Sequence, residues 1–220
     1  MKNNMMRKTI LYSIFLMVFC IISYSTSAKS NKKPFVIPEL REWQGDEGVF
    51  VLDAQTALVI EKKSPGQLAI AQTFAQDLFD LEGLRLSIHE GKTKGKSIRF
   101  RIREDKQLGE EGYQIKIGEQ IEVSAPTETG LYWATRTLLQ LTEQEKRAHL
   151  PKGEIRDYPA YPVRGFMLDC ARKFIPIDFL RDYVKIMSYY KMNTFQIHLN
   201  DNGFYKLHNN DWDKTYAAFR

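Results

Sequence analysis

The sequence predicts an α+β N-terminal domain followed by the first βαβ unit of an incomplete (β/α)8 TIM barrel. Between residues 29 and 155, short strand-like segments alternate irregularly with two helical segments, which is typical of a sheet covered by helices on one face. A strand, a helix and a second strand then follow within about 35 residues, the pattern of a parallel βαβ unit. Residues 156–220 are too few to close a barrel, which takes about 250 residues.

Composition and charge restrict the class of protein. Of the 220 residues, 43% are hydrophobic and 27% are charged, and 32 basic against 27 acidic side chains give a net charge of +5. These values are ordinary for a globular protein and exclude a disordered tail, a collagen or a low-complexity scaffold. The two cysteines, Cys20 and Cys170, exclude a disulfide-stapled miniprotein and a cysteine-rich zinc module.

Residues 1–28 have the pattern of a secretory signal peptide. An almost unbroken apolar run at residues 9–22 is followed by a small polar tract that ends at Ala28, a position suited to cleavage. The basic residues before the run are Lys2, Arg7 and Lys8. Because the run is shorter than the ~20 residues of a membrane-spanning helix, an uncleaved anchor is the less favoured alternative.

Removal of residues 1–28 changes what the charge implies. It takes away three positive charges and leaves +2, so the charge balance indicates export to the periplasm or the extracellular space and no nucleic-acid partner. No stable membrane span is expected after cleavage. Phe19 stands where a small residue should precede Cys20 in a lipoprotein, and lipid anchoring is therefore disfavoured.

Residues 29–155 are expected to form the small α+β domain. Pro65 favours the start of a helix and Gly83 its end, and the apolar residues between them recur at helical spacing. A second helix is predicted at residues 128–144, and Gly118-Glu119 predicts a tight hairpin. The predicted strands are 35–40, 48–54, 57–60, 84–89, 97–103, 113–117 and 120–124.

A basic run in this domain allows two interpretations. Its members are Lys92, Lys94, Lys96, Arg99, Arg101 and Arg103. Such a run is found on nucleic-acid-binding surfaces. However, Ile98, Phe100 and Ile102 alternate strictly with the three arginines, which is typical of a half-buried strand with one solvated face. Because export removes most nucleic-acid roles, the solvated strand is the favoured interpretation.

The βαβ unit follows a boundary at Pro159 and Pro162. Its strands are predicted at residues 163–169 and 194–199, with a helix that opens at Pro176 and ends near 191–193. The apolar face of this helix comprises Phe179, Leu180, Tyr183, Val184, Met187 and Tyr190.

Polar residues follow both strands of the βαβ unit. Asp169 and Arg172 follow the first strand, and the second is followed by a longer set: His198, Asn200, Asp201 and Asn202. Active sites of (β/α)8 barrels gather at the carboxyl ends of the strands, so these side chains are placed for chemistry. A purely structural interpretation remains open on these grounds: Asp169 and Arg172 would pair across a turn, and Asp201 would cap a loop.

The segment RGFMLDCARKFIPIDFLRDYVKIMSYYKMNTFQIHLND resembles the opening of the catalytic barrel of glycoside hydrolase family 20, the β-N-acetylhexosaminidases. The matching residues are Arg164, Gly165, Leu168, Asp169, Arg172, Tyr190, Lys191, Asn193, His198, Leu199 and Asp201. Upstream, GYQIKIGEQIEVSAPTETGLYWATRTLLQL resembles the end of the small α+β domain that precedes that barrel. The resemblance is firm from about Gly112 to Asp201 and looser before that.

This resemblance implies an exo-acting, retaining hydrolysis of glycans that end in N-acetylglucosamine or N-acetylgalactosamine. In the family the sugar's own 2-acetamido carbonyl attacks C1, in place of an enzyme nucleophile. A glutamate supplies the acid and the aspartate before it orients the acetamido group. This Asp-Glu pair is expected after the fourth barrel strand, so no catalytic residue of that kind is assigned here. The chain is expected to be the N-terminal portion of a longer enzyme, the alternative being a non-catalytic remnant or accessory carbohydrate-binding module.

The resemblance also assigns roles to individual residues. Arg172 matches the arginine that holds hydroxyls of the terminal sugar, and Asp201 matches an aspartate that orients a histidine next to the acid. Asp169 and His198 are assigned supporting positions. The favoured interpretation of His198 is barrel packing with a satisfied hydrogen bond, and direct contact is the alternative. Asn202 departs from the family pattern, which often has a second acid there. No metal or cofactor is implied, and the oligomeric state is left open.

Overall fold

The fold is described by a computed structural model for residues 30–144, 146–171 and 173–199. The signal peptide predicted at residues 1–28 lies outside these ranges. The elements are β1 (Glu42–Val51), β2 (Ala57–Ile60), α1 (Pro65–Glu82), β3 (Ser87–Glu90), β4 (Ser97–Ile102), β5 (Tyr113–Ile117), β6 (Ile121–Ala125), α2 (Glu128–Thr142), β7 (His149–Asp157), β8 (Gly165–Asp169), α3 (Ile177–Tyr189) and β9 (Thr194–His198). Within the described ranges, no helix is both long enough and apolar enough to cross a membrane.

Strands β1 to β7 form one mixed sheet in the order β1-β7-β5-β6-β4-β2-β3. The strands β3, β2, β4 and β6 run parallel, whereas β5, β7 and β1 are joined by antiparallel pairing. Along β5, Tyr113, Ile115 and Ile117 are buried while Lys116 is exposed. The buried face packs against α1 and α2 in a single hydrophobic core, which confirms the prediction of an α+β domain with helices on one face.

Helix α1 begins and ends at the residues that the sequence indicates. Pro65 occupies its first turn, and Gly83 ends it in the left-handed conformation with φ of 70°. The Gly83 N–H donates to the carbonyl of Phe79 at 2.8 Å. This closure satisfies a carbonyl that would otherwise be left free at the helix end.

Helix α2 is buried on nearly all sides. The Thr127 hydroxyl accepts a hydrogen bond from the Gly130 N–H at 3.1 Å and caps the helix. Residues on its sheet face, such as Leu131 and Leu138, are fully buried, and its other side contacts α3. A side chain at Gly130 would place Cβ 2.3 Å from the carbonyl oxygen of Gly112, so the backbone approach there requires glycine. This helix therefore connects the sheet with the βαβ segment.

One predicted strand does not form, and one strand of the sheet was not predicted. Residues 35–40 form no strand. Pro38 has no N–H for a strand partner, and the Gln140 side chain bonds both the N–H and the carbonyl of Ile37, at 2.7 and 2.8 Å. Strand β7 was not predicted: its sequence contains Pro151 and Gly153, which are poor strand formers. It forms because β1 and β5 pair with it on either side.

The arginines of the basic run lie on or directly after a half-buried strand, as predicted. Ile98 and Phe100 of β4 have no exposed surface, whereas the intervening Arg99 is half-buried and donates to the carbonyl of Gly91 at 2.6 Å. Arg101 and Arg103 pair with Glu122 at 3.6 and 2.9 Å. Glu122 thus balances part of the positive charge of these arginines within the domain.

The predicted βαβ unit is also confirmed. Strands β8 and β9 pair in parallel, from Gly165 opposite Thr194 to Asp169 opposite His198. Helix α3 lies against them through Tyr183, whose ring centroid is 5.2 Å from that of Phe166 and 5.7 Å from that of Phe195. The predicted apolar face is only partly buried, because two strands offer a helix little surface.

Candidate active site at the carboxyl ends of two parallel strands

Asp169 and His198 occupy paired positions at the carboxyl ends of β8 and β9. The Cys170 N–H donates to the carbonyl of His198 at 2.9 Å, which extends the pairing one residue beyond the strand. Both side chains are half-buried. The fold therefore brings these two predicted site residues to one edge, whereas Arg172 and Asp201 lie outside the described residues.

The Asp169 carboxylate shapes the turn that leads toward Arg172. Its Oδ1 accepts a hydrogen bond from the Ala171 N–H at 2.9 Å, an arrangement in which an aspartate side chain stabilises a local turn. This contact gives Asp169 a role in the local turn, and its supporting position in an active site stays a prediction. Within the described ranges, no group of three His, Cys, Asp or Glu side chains lies close enough to hold a metal ion.

The amino ends of the same strands carry a buried ion pair that sequence reasoning missed. The Lys191 Nζ lies 3.0 Å from Asp157 Oδ2 and donates to the Tyr113 hydroxyl at 2.6 Å. Tyr113 in turn donates to Asp157, and the second oxygen of Asp157 accepts from the Arg41 N–H at 3.1 Å. Lys191 precedes β9, whereas Asp157 ends β7 and Tyr113 begins β5. The pair thus joins the βαβ segment to the α+β domain.

Burial sets the proton affinities in this cluster. It lowers the pKa of the Lys191 ammonium, since removal from water disfavours the charged form, while the adjacent Asp157 carboxylate opposes that shift. Burial also raises the pKa of the Tyr113 hydroxyl well above its usual value, and the nearby Asp157 charge adds to the increase. Tyr113 is therefore a neutral hydrogen-bond donor at physiological pH.

A second set of polar contacts lies beside this cluster. Arg164, the residue before β8, pairs with Glu111 and donates to the carbonyl of Lys191 at 2.7 Å. Asn193 donates to the other oxygen of Glu111 at 3.0 Å and accepts from the Arg164 N–H at 2.9 Å. The family 20 motif in the sequence includes Arg164, Lys191 and Asn193. Their acidic partners, Glu111 and Asp157, belong to no motif that the sequence shows.

A cavity of about 520 Å³ opens at this junction. Residues from both parts of the chain line it, including Tyr113, Trp133, Asp157, Arg164 and Lys191. Because these residues precede β8 and β9 or belong to the α+β domain, the cavity lies at the amino ends of the two strands. It is therefore separate from the edge formed by Asp169 and His198.

The chain consists of a mixed sheet covered by helices and a parallel βαβ segment with polar residues at the strand ends. This arrangement is that of an α+β domain joined to the start of an α/β catalytic domain. Comparison with known families gives this class a specific identity. Residues 33–158 match glycosyl hydrolase family 20, domain 2, and residues 161–214 match the catalytic domain of glycosyl hydrolase family 20. The chain belongs to glycosyl hydrolase family 20 and contains part of that catalytic domain.

Individual relatives agree with this assignment. A beta-N-acetylhexosaminidase from Cellulomonas fimi is 29% identical over 163 residues, which are 72% of this chain and 33% of the relative. The structure of the GH20 beta-N-acetylhexosaminidase from Streptomyces coelicolor A3(2) has a TM-score of 0.67 and 27% identity, covering 79% of this chain and 36% of that one. This chain therefore spans about a third of the length of these relatives.

A third relative was solved with a sugar product. The D313A mutant of Streptomyces plicatus beta-hexosaminidase, in complex with GlcNAc, has a TM-score of 0.65 and 24% identity, and it covers 79% of this chain and 36% of its own. At this identity the likeness concerns the fold. It extends the same arrangement of an α+β domain and a βαβ segment to a protein that binds N-acetylglucosamine.

Proposed function

We propose that this chain is the N-terminal part of an exo-β-N-acetylhexosaminidase, which removes terminal N-acetylglucosamine or N-acetylgalactosamine from glycans. The observation that carries the proposal is the continuous match to two successive domains of one glycoside hydrolase family. The paired positions of Asp169 and His198 support it, since they occupy the strand edge where barrel enzymes place their active sites. The βαβ segment would be the first unit of a (β/α)8 barrel.

The proposed reaction proceeds with retention and with help from the substrate. The carbonyl oxygen of the 2-acetamido group attacks C1 as the bond from C1 to the leaving oxygen breaks, and a glutamic acid protonates that oxygen. Water, deprotonated by the same glutamate, then attacks C1 and restores the acetamide. The glutamate and the aspartate before it are expected in the part of the family's length that this chain does not span.

Arg172 is the proposed contact to the terminal sugar. A guanidinium group presents several N–H donors in a rigid planar fork, which suits two adjacent hydroxyl oxygens. Asp169 stabilises the turn at Ala171, the residue that precedes Arg172 in the sequence. Asp201 is proposed to orient a histidine beside the acid, and thereby to adjust the position and pKa of that acid. His198 is proposed to support the strand edge by packing.

We also propose that the protein is exported. The pattern of residues 1–28 supports a cleaved signal peptide, and the substrate class is consistent with a periplasmic or extracellular enzyme. A lipid anchor is disfavoured because Phe19 precedes Cys20.

An assay of two proteins tests the proposed function. A protein that carries this chain together with a complete barrel is expected to hydrolyse an aryl N-acetyl-β-glucosaminide, whereas the 220-residue chain alone should not exceed the rate in buffer. The reason is that the acid is expected outside this chain. The release of the aryl alcohol can be followed by absorbance.

Two outcomes would contradict this proposal. Clear turnover by the 220-residue chain would show that the acid lies within it. A stop codon directly after Arg220 would instead favour the second candidate, a non-catalytic remnant or accessory module, which the partial catalytic domain makes the natural alternative.

A further inference from the structure

We propose that the α+β domain is a docking platform for the catalytic segment, which it holds at the amino ends of β8 and β9. The proposal concerns a surface inside the chain and goes beyond the proposed reaction. The docking network comprises Lys191, Asp157, Tyr113, Arg164, Glu111 and Asn193. Three of these residues come from the βαβ segment and three from the α+β domain.

One half of the docking network, formed by Lys191, Asp157 and Tyr113, is buried. Lys191 and Asp157 are 6% and 7% exposed, and Tyr113 is 1% exposed. A buried ammonium requires a paired carboxylate and further hydrogen bonds, because either charge alone would be costly in a nonpolar environment. Here the carboxylate comes from β7 and the ammonium from the residues before β9. Both charges therefore lose water when the two parts of the chain come together, and the ion pair with its hydrogen bonds compensates that loss.

The second half fixes both strands to a single carboxylate. Glu111 receives Arg164 on one oxygen and Asn193 on the other. Arg164 immediately precedes β8 and Asn193 immediately precedes β9, so the same side chain bonds the starts of two adjacent strands. The docking network thus fixes the starting positions of β8 and β9 relative to each other. Because the two strands pair in register, the positions of Asp169 and His198 at their carboxyl ends are fixed as well.

Contacts between α2 and α3 complete the surface. The Tyr132 and Ser188 hydroxyls are 2.5 Å apart, and the Gln140 side chain donates to the carbonyl of Tyr189 at 2.9 Å. Tyr189 also donates to Glu143. These hydrogen bonds place α3 on the side of α2 that faces away from the sheet.

The βαβ segment has little core of its own among its described residues. In α3 only Met187 is buried, and no residue of β8 or β9 is fully buried. Within the described residues, contacts with the α+β domain therefore supply much of what offsets the entropy that the segment loses on ordering. The docking network supplies such contacts. It assigns the α+β domain a structural role toward the catalytic segment, in contrast to that of an independent carbohydrate-binding module.

Hydrogen–deuterium exchange of the 220-residue chain tests this proposal. We expect Lys191→Met to accelerate exchange in β8 and β9 at least tenfold, while peptides from β2 and β4 keep their protection. Glu111→Ala removes the carboxylate of the less buried half of the docking network, and it is also expected to accelerate exchange in β8 and β9. The matched control is Lys185→Met, which removes an exposed lysine from α3.

Two results would overturn the proposal. One is exchange in β8 and β9 that matches the Lys185→Met control in both network variants. The other is loss of protection in β8 and β9 only together with β2 and β4 in both variants, since the docking network would then be part of the general core and not a dedicated attachment.

Discussion

Asp157→Ala is expected to lower the free energy of unfolding by about 3–5 kcal/mol, the loss typical of breaking a buried ion pair from one side. The change leaves the Lys191 ammonium buried without its carboxylate and removes the acceptor for Tyr113. Lys191 can escape part of this cost by losing its proton, because burial already lowers its pKa. The deficit should therefore be larger at pH 6 than at pH 9.

Urea unfolding monitored by tryptophan fluorescence measures this loss. Glu154→Ala is the matched control, since it breaks the exposed pair of Lys116 with Glu154 and should cost less than about 1 kcal/mol. The double variant Asp157→Ala with Lys191→Met should regain part of the lost stability, because no unpaired charge remains. Equal losses for Asp157→Ala and Glu154→Ala would contradict the structural importance of the buried pair.

Arg172→Ala, introduced into an enzyme with a complete barrel, is expected to reduce kcat/KM for an aryl N-acetyl-β-glucosaminide by about 100-fold or more. This corresponds to about 2.7 kcal/mol of transition-state stabilisation, in line with the loss of two hydrogen bonds from a charged donor. Steady-state kinetics of the purified variant provide the measurement.

Lys173→Ala is the matched control for this prediction. It removes a neighbouring exposed cation and should leave kcat/KM within a few-fold of the parent enzyme. Thermal unfolding of both variants separates loss of sugar binding from loss of folding. Unchanged kinetics of a folded Arg172→Ala enzyme would refute the assignment of this residue to the terminal sugar.

Regular elements with strong local signals could be predicted from the sequence. Helix α1 carries a proline at its start and a glycine at its end, and β4 alternates strictly between apolar and basic residues. Strand β7 could not be recognised, because its proline and glycine are tolerated only through pairing on both sides. The predicted strand at residues 35–40 does not form: Pro38 interrupts it, and the side chain of the distant Gln140, which the local sequence could not indicate, takes the hydrogen bonds of Ile37.

The candidate site was predictable in part for a similar reason. A parallel βαβ unit necessarily brings the carboxyl ends of its strands to one edge, which places Asp169 opposite His198. The docking network was not predictable. Glu111 is distant in sequence from its partner Arg164, as Asp157 is from Lys191, and neither acid belongs to a recognisable local pattern. Nothing in the residues alone distinguishes a motif lysine that contacts another domain from one that serves the site.

Two aryl substrates of the complete enzyme test the proposed substrate-assisted hydrolysis. An aryl N-acetyl-β-glucosaminide and the matching aryl β-glucoside differ only at C2, where the glucoside has a hydroxyl in place of the acetamido group. Because the acetamido carbonyl is the proposed nucleophile, we expect rapid hydrolysis of the first substrate with the β-anomer as initial product, and no measurable hydrolysis of the second. Comparable turnover of both substrates, or an α-anomer as the first product, would contradict the proposed substrate-assisted hydrolysis.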